Sequence, residues 1–151
     1  MQIQSTLCVV RRYNFSMKKN IHIMLKVLFS LTLLLPIVGS TGILGGATRD
    51  LYNSDEAFAF IEALNSAVYI TYMMTVVHII ALIALWTKRE ALAALLELPI
   101  TLNVVGFHLM LDGGLFTGGA FIGNLMLLLN LYLLWKNRLM YKNLLRPAQA
   151  A

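Results

Sequence analysis

The sequence predicts an all-α integral membrane four-helix bundle with its N- and C-termini cytoplasmic, and three observations carry that prediction. Of its 151 residues 59% are hydrophobic and only 13% charged, with a mean hydropathy of +0.74, whereas a water-soluble domain has about 25% charged residues. Four apolar runs, at about 23–44, 65–86, 91–111 and 120–135, approach the roughly 20 residues a helix needs to cross about 30 Å of hydrocarbon. Threading those runs back and forth places eleven of the twelve Lys and Arg residues on one side, the pattern expected of cytoplasmic loops.

Other classes fit poorly. The net charge of +5 and pI near 9.6 do not mark a nucleic-acid binder, because the cations flank apolar runs instead of alternating with exposed aromatics. The single cysteine, Cys8, makes no internal disulfide, CxxC pair or zinc site. The lipid bilayer is therefore the expected partner, with a membrane protein partner or a second copy of the chain also open.

Residues 1–20 read as a flexible N-terminal tail holding Arg11, Arg12, Lys18 and Lys19. Met17-Lys18-Lys19-Asn20 has the look of a natural start, which makes 1–16 an upstream extension. A single four-span domain, 21–147, follows, and 148–151 form a C-terminal tail. The first run has a core of about 23–44, with Lys26 expected to snorkel to the interface and Pro36 to kink the helix. A signal peptide is the rival reading, given Lys18-Lys19 and the small residues Val38-Gly39-Ser40. The run exceeds a typical h-region of about 7–15 residues, which favours a retained helix.

A glycine-containing loop, 42–56, leads to Ser54-Asp55-Glu56, residues suited to capping the next helix. The second span, about 65–86, carries Tyr69 and Tyr72 near one end and Trp86 at the other, as interfacial aromatics do. Lys88 and Arg89 sit in the short loop before the third span. Asp112 to Gly119 form a glycine-rich loop before the fourth, and Lys136, Arg138, Lys142 and Arg146 follow that span.

Polar residues inside spans are expensive and point to function by default. In the third span Glu97, Thr101, Val104, His108 and Asp112 recur at helical spacing and form one stripe, with Asn103 off it. In the second, Thr71, Thr75 and His78 form a similar stripe. Counting inward from the basic ends at the helix rise puts His78 about 12 Å, Glu97 about 9 Å and Asn130 about 8 Å deep, in one layer. Two pairs are expected: His78 with Glu97 near the basic end, and His108 with Asp112 near the opposite mouth. These five, His78, Glu97, Thr101, His108 and Asp112, are the candidates for ligand binding or proton relay. Plain interhelical hydrogen bonding is the competing reading of the inner pair. Asn103, Asn124 and Asn130 read as packing and register residues. No catalytic residue and no metal set is expected, since two histidines at opposite depths make no site. The glycine pairs 113–114 and 118–119 lack the Lys-Ser/Thr of a phosphate loop.

The run Leu98-Pro99-Ile100-Thr101-Leu102-Asn103-Val104-Val105-Gly106-Phe107-His108-Leu109-Met110-Leu111-Asp112-Gly113-Gly114 resembles the DoxX-like family of small bacterial membrane proteins. The likeness continues through Asn130-Leu131-Tyr132-Leu133-Leu134-Trp135 to Tyr141-Lys142-Asn143-Leu144-Leu145, and spans roughly residues 27–147. It implies a four-helix bundle in a bacterial inner membrane and an association with thiosulfate:quinone oxidoreduction, hence a quinone as the cofactor or ligand to consider. Two departures stand out. Many relatives carry a Gly-Lys near the end of the first span, where this chain has Gly39-Ser40-Thr41-Gly42. Many also carry a glutamate where His78 falls.

The functional expectation is an accessory or redox-associated membrane subunit with an interhelical pocket for a quinone or lipid. A small proton-coupled transporter and a ligand-free assembly or scaffold protein are the alternatives. An enzyme is the least favoured class, because neither an activated nucleophile nor a nucleotide motif is present.

Overall fold

The computed structural model describes residues 19–43 and 45–142 in full and the backbone of 2–18 and 143–144. The Cys8 side chain and the expected C-terminal tail lie outside the described residues, and the backbone of 2–18 belongs to the first helix. The helices are α1 (Gln2–Gly39, side chains described from Lys19 on), α2 (Asp55–Ser66), α3 (Val68–Trp86), α4 (Glu90–Met110), α5 (Ala120–Lys136) and α6 (Arg138–Leu144), with one 3-10 turn at Arg49–Leu51. No strand occurs among the described residues. Three stretches, Lys19–Gly39, Val68–Trp86 and Glu90–Met110, are long and apolar enough to cross a membrane. The 17-residue α5 is shorter, about 25 Å at the helix rise.

The third and fourth runs match α4 and α5 to within a residue, but two expectations need correction. The first helix ends at Gly39, five residues before the expected limit of 44. Ser40 Oγ and Thr41 Oγ1 donate to the carbonyls of Ile37 and Val38, and Gly42 takes φ +75. These side chains occupy carbonyls at the helix end and turn the chain aside. The helix passes through Pro36 without interruption. The second run, expected from about 65, starts three residues later as α3, because Ala67 leaves helical geometry at φ −82, ψ 64 and separates it from α2. The Ser54 hydroxyl caps α2 by accepting from the Ala57 amide at 2.9 Å, as its position ahead of Asp55-Glu56 suggested.

Helix α4 packs most extensively against α5 and α3, and α1 closes the arrangement by touching both α3 and α5. The interior is built from small and polar residues as much as large ones. Ala81, Ala84, Ala93 and Ala94 are buried beside Phe29, Leu33, Leu85 and Leu133, while Leu31, Ile83, Leu95, Phe121 and Leu128 face outward. A soluble fold shows the reverse. Small side chains let helix backbones approach closely when the surroundings are as apolar as the interior. At Gly123 the approach is extreme: an added Cβ would lie 2.9 Å from Val104 Cγ1.

At the basic end, the helices are tied through Glu90. Lys26, expected to reach the interface, donates there to Glu90 Oε1 at 3.1 Å and lies 4.8 Å from the centroid of the Trp86 ring. Lys136 Nζ donates to Glu90 Oε2 at 3.0 Å. His22 spans Glu90 Oε1 at 3.0 Å and the Tyr132 hydroxyl at 3.2 Å. A carboxylate in the first turn of α4 also favours the helix dipole. Glu90→Ala leaves two lysines and a histidine facing one another. It lowers unfolding free energy by about 2 kcal/mol, between the values for exposed and buried pairs. Titration with SDS measures the loss, and the difference narrows in high salt.

Candidate functional site

The stripe on α4 faces inward as its spacing requires. Glu97 and Thr101 are fully buried, Asp112 is 1% exposed, and Val104 and His108 are partly buried. Thr71 and Thr75 on α3 are partly buried and His78 is buried. The five candidates fall into two pairs with Thr101 between them.

The inner pair is direct. His78 Nδ1 donates to both carboxylate oxygens of Glu97, at 3.0 Å each, with 1% and 0% of the two residues exposed. Each group supplies the other's hydrogen-bond partner, which is how two such groups share a dry interior. Asn130, expected in the same layer, donates from Nδ2 to the Ala94 carbonyl at 3.3 Å, one turn before Glu97. Two buried side-chain atoms nearby have no partner, Thr101 Oγ1 and Asn130 Oδ1.

The other pair belongs to a larger junction. His108 Nδ1 donates to Asp112 Oδ2 at 2.8 Å. The second carboxylate oxygen accepts from the Asn53 amide at 2.8 Å and from Asn53 Nδ2 at 3.2 Å. Ser54 Oγ donates to the Leu111 carbonyl at 2.6 Å. Asp112 thus joins the end of α4 to the loop that starts α2. Gly113, at φ +84, lets the chain turn there, and any side chain would lie 3.3 Å from Asn53 Cβ. Burial raises the Asp112 carboxyl pKa, but the Asn53 amide, the His108 imidazole and the Asn53 side chain outweigh burial and hold it below its ordinary value. Tyr52 next door is pushed up by burial and by the Asp112 charge.

The His108 ring lies over two glycines of the next segment. An added Cβ at Gly119 would be 3.2 Å from its Cε1, and one at Gly123 3.5 Å from its Cδ2. His108 also helps line a cavity of about 580 Å³ between α2, α3 and α4. The walls are largely apolar, with Phe60, Leu64, Met74, Ile100 and Phe107 among them, and the polar groups present are His108, Asn103 and Tyr52. Among the described residues nothing hydrogen-bonds to His108 Nε2.

Known proteins offer no template. No family model matches the chain, and no curated protein or solved structure matches it.

Of the five candidates, then, only His108 lines this cavity. His78, Glu97 and Thr101 are packed away from it, and Asp112 acts through His108. Asn103, read as structural, does bond within its own helix, to the Pro99 carbonyl at 2.9 Å, yet it also lines the cavity. Asn124 holds the Leu115 carbonyl at 2.6 Å, consistent with a packing role. Sequence reasoning missed Asn53 and the aromatic wall of Tyr52, Phe60 and Phe107. The Asn53-Ser54 step before an acidic first turn was the one signal for Asn53. The wall depends on α2 folding against α4, which no local pattern announces.

Proposed function

We propose that this chain is a DoxX-like, four-span bacterial inner-membrane protein with both termini cytoplasmic, acting as an accessory subunit that holds a quinone headgroup in the cavity beside His108. The supporting observation is the imidazole itself. Asp112 holds Nδ1, which leaves Nε2 of the neutral ring as an acceptor, and His108 is one of three polar residues lining an otherwise apolar space. Pockets of about 300–1,000 Å³ with few convergent polar groups are the usual form of small-molecule sites. A neutral Nε2 accepts from a quinol hydroxyl, and a protonated one donates to a quinone carbonyl. Asn103 supplies a second polar contact at the same wall. The reading also draws on the family resemblance and its quinone association.

The test is titration of a tail-less benzoquinone into the protein in lipid nanodiscs. Saturable binding is expected for the wild type. His108→Ala weakens it about tenfold, the equivalent of one good hydrogen bond at roughly 1.4 kcal/mol. Met74→Trp, which fills the cavity, abolishes it. Absence of saturable binding to the wild type, or equal binding by all three proteins, sinks the proposal.

A further inference from the structure

The cavity has a second compartment. A groove of about 340 Å³ runs along the outside of α4 and is lined by Phe60, Leu102, Asn103, Gly106, Phe107 and Met110, with Leu111 at its end. It shares Phe60, Asn103 and Phe107 with the cavity, so the two spaces are separated only by those side chains. Phe60 and Phe107 form the partition, with ring centroids 5.7 Å apart and planes tilted by 30°.

The two compartments differ in exposure. Leu102 is 53% and Met110 78% exposed, so the groove opens sideways on the apolar flank of α4. Its floor is Gly106, where an added Cβ would meet nothing within 4 Å. Along the helix the groove extends from Met110 back to Leu102, about 12 Å at the helix rise. It therefore runs from the level of His108, near the glycine-rich end, towards the middle of an apolar helix long enough to span a membrane.

From this continuity we infer that the ligand is a tailed amphiphile, with its ring in the cavity against His108 and its hydrocarbon tail passing Phe60 and Phe107 to lie in the Gly106 groove. This rests on the cavity reading above and adds the ligand's second half and its lateral route from the bilayer. A hydrocarbon chain suits the groove because its walls are apolar apart from Asn103, and because it leads into the depth of the membrane where tails reside. A polar tail would gain no partners there.

The experiment compares a tail-less benzoquinone with its decyl-tailed counterpart on wild-type protein, Gly106→Leu and Met74→Trp, all in nanodiscs of one composition. Gly106 has ordinary helical geometry and open space around it, so leucine fills the groove without disturbing the fold. Partitioning of the tail into lipid is common to all the proteins, so the ratio between proteins reads the groove alone. Gly106→Leu is expected to bind the tail-less probe like the wild type and the decyl probe at least tenfold more weakly. Equal affinity of Gly106→Leu and wild type for the decyl probe overturns the tail assignment while leaving the cavity reading intact. No saturable binding of the tail-less probe, with none of the decyl probe, overturns both. Displacement by a single-chain phospholipid but not by the decyl quinone keeps the groove assignment and overturns the quinone headgroup.

Discussion

Glu97→Ala lowers the unfolding free energy by about 3–5 kcal/mol, the range for removing one member of a buried ion pair. Alanine leaves His78 Nδ1 without either of its 3.0 Å acceptors in a position that is 1% exposed, and opens a void where a fully buried side chain stood. His78→Ala is expected to cost a similar amount, because it strands a carboxylate at 0% exposure. The double replacement His78→Leu with Glu97→Met restores stability to within about 1 kcal/mol of the wild type, since two apolar groups of similar volume need no partner. SDS titration of the wild type, the two alanine variants and the combined His78→Ala/Glu97→Ala variant closes a double-mutant cycle. Additive losses would show that the two side chains do not interact, contrary to their geometry.

Asp112→Ala has the next largest effect, about 3 kcal/mol. It orphans the Asn53 backbone amide and His108 Nδ1 together and leaves Asn53 Nδ2 only the residue-112 carbonyl, and hydrogen bonds to a charged group contribute about 1.5–3 kcal/mol each without being additive. The consequences extend along the chain, because the Asp112 junction also anchors the start of α2 and with it Phe60 on the cavity wall. A pH dependence accompanies it. The folded carboxyl titrates below its unfolded value, so its contribution is complete above the unfolded pKa of about 3.9 and is lost as pH falls through the folded pKa. Thermal unfolding between pH 3 and 7 should show this acid limb in the wild type and a flatter one in Asp112→Asn. An unchanged limb would mean that other carboxylates carry it.

Much of the architecture was legible because it is written in local, one-dimensional terms. The periodicity of Glu97, Thr101, Val104, His108 and Asp112 correctly gave the inward face of α4, and depth counting brought His78 to the level of Glu97. The end of α1 was misjudged because apolar residues continue to Leu44 while Ser40, Thr41 and Gly42 already divert the backbone. The split at Ala67 was illegible for a stronger reason: neither glycine nor proline marks it, and α2 and α3 are each good helices.

That three of the four expected runs form helices long enough to cross a membrane came from the structure; composition and periodicity by themselves determined that this chain is helical and rich in apolar runs, and which side of α4 is polar. Those properties follow from transfer energies and a fixed helical repeat, which need no knowledge of neighbours. Only the tertiary structure decided that Lys26 binds Glu90, that Asp112 binds Asn53 across 59 residues, and that His108 alone of the five candidates lines the cavity. Each is a contact between segments far apart in sequence. Such contacts depend on helix crossing and on where α2 bends away from α3, quantities that no single run of residues contains.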